Sequence, residues 1–349
     1  MSRALHAAML GLLSVLPLFP QTRPIPVKVV IIAMFERGAD AGDQPGELQY
    51  WVERNHLDRV IPFPQGYHDL RMNKDGVLAL LTGVGTAKST AAVMALGMDP
   101  RFDLSKAYWL VAGISGINPA RGSIGSAAWA EWVVDGDLAR EIDAREIPTG
   151  WSTGYLPLRG ATPWEQPRDS SEGEVYHLEP GLTDWAYQLT KSAPLADSPA
   201  MQAARAPYPD ANARKPPFVL KGDTLSSGTF WHGALLNDWA AEWVRYHTGG
   251  QGEFVTTAME DTGTLQSLTL LAKAKRVDLN RVLVLRTASN FDMPQPGVTA
   301  AENLARMKLG SYAAYLPALE AAWQVGNTVV DNLVRNWSRF RDVTPAGKP

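Results

Sequence analysis

Short apolar runs of strand length alternate with stretches of helical period along most of this chain. That alternation constrains the fold more than any other feature. Residues 27–33, 77–81, 107–112, 218–221, 254–257 and 281–286 read as strands, and 126–134 as a partly alternating one. Residues 86–96, 238–246, 262–274 and 312–333 repeat their apolar positions at helical spacing. Strands and helices in that order predict an α/β layer fold, with helices covering the faces of a sheet. Asp278-Leu279-Asn280 reads as a turn before the last strand. Two Pro/Gly-rich stretches, 148–167 and 194–217, read as long surface loops, because strand-like segments flank both. A single domain over residues 24–345 is therefore expected.

The N-terminus has a different character. Arg3 precedes an apolar stretch over residues 7–16, then Pro17, Pro20 and a polar Gln21-Thr22-Arg23. A basic start, a short apolar segment and a helix break predict a signal peptide over residues 1–23, with the mature protein exported, to a periplasm. The stretch is shorter than the about 20 apolar residues a membrane span requires. No later segment reaches that length, so a polytopic transporter is excluded. A net charge of −3 and the lack of any Lys/Arg-rich run argue against nucleic acid as a partner. The chain has no cysteine, which excludes disulfides and thiol catalysis. Its six histidines show no ligand spacing, so no metal site is expected.

Chemistry concentrates in three segments. Thr256-Thr257-Ala258-Met259-Glu260-Asp261 places a carboxylate just past one strand. Arg286-Thr287-Ala288-Ser289-Asn290-Phe291-Asp292 places an amide and an acid just past the next. Phe230-Trp231 supplies an aromatic pair before both. An ionised carboxylate accepts two charge-assisted hydrogen bonds from vicinal sugar hydroxyls, and a neighbouring methionine offers an adaptable apolar surface. An aromatic ring stacks on a heterocycle, and a polar group near that ring stabilises it as a leaving group. Taken alone, Met259-Glu260 reads as a helix start with a core methionine and a solvated glutamate; three segments in this order outweigh that. Gly83-Val84-Gly85-Thr86-Ala87-Lys88-Ser89 lacks the glycine before lysine that a nucleotide phosphate loop needs. Gly113-Ile114-Ser115-Gly116 misses the spacing of a serine-hydrolase elbow. Both leave a strand and glycine turn able to present N–H groups to an anion or a sugar hydroxyl.

These segments together resemble the purine nucleoside phosphorylase and nucleosidase superfamily, and most closely its purine nucleoside permease family. Ile31-Ile32-Ala33-Met34-Phe35-Glu36-Arg37, Leu81-Thr82-Gly83-Val84-Gly85 and Val111-Ala112-Gly113-Ile114-Ser115-Gly116 extend the resemblance toward the N-terminus. It implies a nucleoside phosphorylase-like three-layer fold with a central mixed β-sheet flanked by helices, and purine nucleosides as ligands. Met259 and Glu260 would hold the ribose, and Phe230, Trp231 and Asn290 the base. Asn290, with Asp292 as fallback, would occupy the catalytic acid position. Glu36, Arg37, Gly85, Gly113 and Ser115 would face phosphate or water. No cofactor is implied beyond phosphate as a co-substrate, and a homo-oligomer is compatible with the class. Three departures stand out: Arg37 falls where nucleosidases carry a water-activating glutamate, Val111 and Ile114 replace phosphate contacts, and Asn290 replaces the usual acid. The resemblance favours N-glycosidic cleavage by phosphorolysis over hydrolysis. A non-catalytic nucleoside-binding protein supporting uptake is the alternative, and a hydrolase using Ser115 with His232 a distant third.

Overall fold

In the computed structural model, which describes residues 23–165 and 173–347, twelve strands join one mixed sheet. The expected leader lies, apart from Arg23, outside the described residues. In chain order the strands are β1 (Val29–Ala33), β2 (Arg59–Ile61), β3 (Leu70–Met72), β4 (Val77–Leu81), β5 (Tyr108–Ile117) and β6 (Ala127–Ala130). They continue as β7 (Trp132–Asp135), β8 (Val175–His177), β9 (Val219–Lys221), β10 (Asp223–Ser226), β11 (Phe254–Ala258) and β12 (Val282–Phe291). The helices used below are α1 (Gln49–Arg54), α2 (Thr86–Met98), α3 (Pro180–Thr190), α4 (Ala234–His247), α5 (Asp261–Lys273) and α6 (Tyr315–Arg335).

β1 lies parallel between β4 and β5, and β5 pairs in parallel with β12. β12 then pairs antiparallel with β6, whereas β6 with β9, β7 with β10, and β10 with β11 pair in parallel. β11 returns to β5 through Thr256 and Ile117. Because β6 runs on into β7 and β9 into β10, that circuit closes on itself. One half of the sheet is barrel-like, and β1, β4, β3 and β2 extend it as an open sheet.

Alternate residues of the central strands feed two cores. Val30, Ile32, Leu78, Leu80, Trp109 and Val111 pack against α2 and α5 through Val93, Leu96, Leu265 and Leu268. Val29, Ile31, Ala33, Tyr108 and Leu110 pack on the other face against Trp51, Leu182, Trp185, Val325 and Val329 of α1, α3 and α6. Both faces being covered, β1 and β4 are buried at every position, which is why they read as unbroken apolar runs. The fold is the three-layer arrangement with a mixed central sheet that the alternation and the resemblance lead one to expect.

The differences lie where a side chain overrides the local pattern. Residues 126–134 form two strands, broken at Glu131. The Asp223 carboxylate accepts the N–H groups of Glu131 and Trp132 at 3.1 and 2.8 Å and that of Glu253 at 2.7 Å, so the bend keeps its donors satisfied outside the ladder. The stretch 194–217 holds two short helices, Pro199–Arg205 and Ala211–Arg214. Ser198 caps the first by accepting the Met201 N–H, with Pro199 in its first turn. Helices α1 and α3 were not anticipated by the apolar pattern. Among the described residues, no helix is long and apolar enough to cross a membrane.

Candidate functional site

The ends of the central strands open into one cavity of about 410 Å³, within the size range of small-molecule sites. Met34 to Arg37 follow β1, Ile114 to Gly116 belong to β5, and Thr229 to Trp231 follow β10. Thr257 to Glu260 close β11, while Arg286, Ser289 and Asn290 come from β12. Of the residues singled out by sequence, Glu36, Arg37, Ser115, Phe230, Trp231, Met259, Glu260 and Asn290 all line it. Gly85, Gly113 and Asp292 do not.

Glu260 is held by two donors, one on each carboxylate oxygen. Its Oε1 accepts the Gly85 N–H at 3.0 Å, and its Oε2 accepts from Arg286 Nη2 at 3.3 Å. Gly85 is the N-cap of α2, so the anion at that helix N-terminus is the chain's own carboxylate. This corrects the expected use of the Gly85 N–H toward phosphate: the donor is already taken. Thr86 Oγ1 and Ser89 Oγ donate to the backbone oxygens of Met259 and Glu260 at 3.2 and 2.9 Å, which fixes the dipeptide against α2. The approach is possible only because residue 263 is glycine; a β-carbon there would overlap Thr86 O and Ser89 Oγ. Burial pushes the Glu260 carboxyl up from its ordinary range, and Arg286 opposes that shift.

Arg286 is the centre of a buried cluster that the sequence alone did not single out. Its guanidinium grips Asp261 through Nε and Nη2, reaches Glu260, and donates from Nη1 to Ile114 O at 3.3 Å. Burial works against its charge, yet Asp261, Glu260 and Glu47 outweigh it and hold the group protonated above its ordinary range. Glu47 is the other residue missed. It sits in a loop without apolar period, and no motif marks it.

The order of that loop follows from Glu36. The Glu36 carboxylate accepts the N–H groups of Arg37, Gly46, Leu48 and Gln49, so it caps the turn that leads into α1. This corrects its expected role toward water, because each of its oxygens already accepts two backbone N–H groups. The capped turn delivers Glu47 into the cavity, where Oε2 accepts the Met34 N–H at 2.8 Å and Oε1 the Ile114 N–H at 2.7 Å. Gly113 makes room for this; a β-carbon there would overlap Met34 Cε, Glu47 Oε1 and the Arg286 guanidinium. The glycine expected to face phosphate thus serves the convergence of three side chains. Arg37 lines the cavity with its guanidinium 5.7 Å from the centre of the Tyr315 ring.

Asn290 accepts from Ser289 Oγ at 2.8 Å and donates to Phe291 O at 2.9 Å. Phe230 is 51% exposed at the rim, and Trp231 packs edge-on to Trp239 and against Phe254. Ser115 Oγ is buried without a hydrogen-bond partner, and His232 Nε2 pairs with Asn303, so no Ser115–His232 couple forms. Asp292 is buried beside Gly116 and outside the cavity wall, with Oδ1 accepting from Asn237 at 2.8 Å and Oδ2 unpartnered. Burial pushes its carboxyl up to about 8.

That shift has a stability consequence. Between the ordinary Asp value near 3.8 and about 8, the folded chain keeps a proton that the unfolded chain releases. Stability therefore falls as pH rises through that window, by at most about 1.4 kcal/mol per pH unit from this group, and levels off above it. Asp292→Asn removes the dependence. Urea denaturation at pH 5 and pH 9 should show the variant gaining on the wild type at the higher pH; a pH-independent difference would place the proton elsewhere.

The sequence model of a family described as purine nucleoside permease (NUP) matches residues 26–345. A Candida albicans protein named purine nucleoside permease is 31% identical over 318 residues, covering 90% of this chain and 76% of that one. A Schizosaccharomyces pombe protein named "probable purine nucleoside permease" is 29% identical over 347 residues, 96% of this chain and 98% of that one. Among solved structures, futalosine hydrolase of Helicobacter pylori superposes with a TM-score of 0.54 at 13% identity, covering 88% of this chain and 99% of that one. The 5′-methylthioadenosine/S-adenosylhomocysteine nucleosidase of the same organism gives 0.53 at 12%, covering 87% and 99%. At such identities the two structures attest the fold alone. The match that spans nearly all of the described residues settles the family: this chain belongs to the purine nucleoside permeases.

Proposed function

We propose that this chain binds purine nucleosides in the cavity and cleaves their N-glycosidic bond. The observation that carries the reading is that a fixed carboxylate with its methionine and an amide with aromatic rings line one cavity. Glu260 and Met259 suit a ribose diol and its carbon skeleton. Asn290 can both donate to and accept from a purine edge, and Phe230 and Trp231 offer faces for it. The names of the yeast relatives and the folds of the two hydrolytic neighbours agree with a nucleoside ligand. A second reading, nucleoside binding in support of uptake without chemistry, draws on Asn290 standing where an acid is expected, since an amide binds a base but protonates it poorly.

Phosphorolysis, the outcome the sequence favours, has Arg37 in its support. Against it, the Gly85 donor is occupied by Glu260, and Glu47 and Glu260 line the same wall.

Incubating the protein with inosine and measuring free hypoxanthine tests cleavage; calorimetry tests binding. Asn290→Ala and Phe230→Ala should each weaken inosine binding by about 1–2 kcal/mol, the scale of one lost hydrogen bond or one stacked ring. If both variants bind as the wild type does, the base does not sit at this wall. Binding without any base release would favour the uptake reading.

A further inference from the structure

We infer that this chain has a second binding site, adjoining the main cavity, and that it takes a small organic cation bearing an alkylated ammonium group. It draws on none of the chemistry assigned to the nucleoside, so the two readings stand or fall separately.

A cavity of about 230 Å³ shares part of its wall with the main one, since Thr229 and Trp231 line both. Its volume falls below the range of pockets for drug-sized ligands, which suits a small molecule rather than a second nucleoside. Trp231 comes from the segment after β10 and Trp239 from α4. Tyr155 comes from a two-stranded ribbon, in which Tyr155–Pro157 pairs antiparallel with Ala139–Glu141. Ala139 and Glu141 line the cavity and Arg140 between them does not, as strand alternation requires. The Arg140 guanidinium reaches Gly160 O at 3.5 Å instead.

Three aromatic rings therefore meet at this cavity. Tyr155 and Trp239 lie 4.5 Å apart between centroids, and Trp231 meets Trp239 edge-on at 6.1 Å. Aromatic rings attract a cation through their quadrupoles, tryptophan most strongly.

Charge points the same way. Asp137 and Glu141 line the cavity, and no Lys, Arg or His does. Among the described residues neither carboxylate has an ion-pair partner. Asp137 is fixed, because Oδ1 accepts from Ser227 Oγ and Oδ2 from the Gly228 N–H, both at 2.6 Å. Each oxygen keeps acceptor capacity for a ligand. Glu141 lies opposite Tyr155 in the ribbon, and the Tyr155 hydroxyl donates to its Oε1 at 3.4 Å. Burial, followed by the Glu141 and Asp137 charges, pushes the Tyr155 phenol above its ordinary range, so both carboxylates act on one hydroxyl.

The same wall selects an organic cation over a bare metal ion. A divalent ion such as calcium takes six or more oxygen ligands, whereas the described residues hold no group of three or more Asp, Glu or His side chains placed for a metal. An alkylated ammonium needs no such shell: its methyl groups pack on the rings while the carboxylates balance its charge. Trp239 is 4% exposed and its indole N–H has no hydrogen-bond partner, so a hydroxyl on the cation is an acceptor that the fold does not supply.

The test is calorimetry on the purified full chain with choline and with 3,3-dimethylbutan-1-ol, which keeps the shape and the hydroxyl but replaces the charged nitrogen by carbon. Choline should bind with a Kd below about 1 mM, and the neutral analogue at least about tenfold more weakly. Glu141→Gln and Tyr155→Leu should each weaken choline binding at least about threefold, with circular dichroism confirming the fold. Glu260→Ala, which removes a carboxylate from the main cavity only, should leave choline affinity within about twofold. Equal affinity for choline and its neutral analogue, or a choline Kd above about 1 mM, would overturn the inference. Choline binding lost in E260A but kept in E141Q would place the cation in the main cavity and overturn it as well. None of these outcomes depends on whether inosine binds or is cleaved.

Discussion

Arg286→Met should lower the stability of the fold by about 3–5 kcal/mol, the cost of removing one partner from a buried ion cluster. Arg286 and Asp261 are both fully buried, and the guanidinium holds Asp261 through two nitrogens and Glu260 through one of them. Without it, Asp261 and Glu260 face each other in a region that Glu47 also borders. Burying such charges without a counter-ion is far more costly than the intact pair is favourable. Urea denaturation reads the loss directly. The double variant Arg286→Met with Asp261→Asn should recover a large part of it, because the repulsion and the unpaired charge go together. A single variant that loses less than about 1 kcal/mol, the range of an exposed pair, would show that this cluster is solvated after all.

Glu260→Ala should weaken inosine binding by about 2–4 kcal/mol, or roughly thirtyfold to a thousandfold, the scale of charge-assisted hydrogen bonds lost in a shielded site. The carboxylate is already oriented by Gly85 and Arg286, so the variant loses a preorganised group rather than a mobile one. Glu260→Gln keeps the shape and one acceptor and should fall between. Circular dichroism and the denaturation midpoint separate a lost contact from a lost fold. Calorimetry that finds wild-type affinity in a folded E260A protein would refute ribose recognition by this residue.

The strands with a self-contained signal were legible before any tertiary contact. The pentapeptide Val77–Leu81 is apolar throughout because helices cover both faces of the sheet there, and its bounds coincide with the expected ones. Met259, Glu260 and Asn290 were legible because they terminate such strands, and chain order carries a strand's end to the edge of the sheet wherever its neighbours lie. Glu131, in contrast, breaks a strand because Asp223, 92 residues later, takes the N–H groups at the bend. Gly85 and Gly113 looked like anion-facing glycines, since a glycine turn at a strand end exposes donors; which group takes those donors depends on what else arrives. Glu260 arrives at the first, and Glu47, Met34 and Arg286 crowd the second. Glu47 had no local signal at all. It reaches the cavity because Glu36 ties its loop down through four backbone N–H groups, and because residue 113 leaves a gap the size of a side-chain carbon. Local pattern specifies where the backbone must be buried, since burial acts on each residue's own surface. The identity of the charged groups that meet in the cavity is a property of long-range contacts, and only the folded chain sets it.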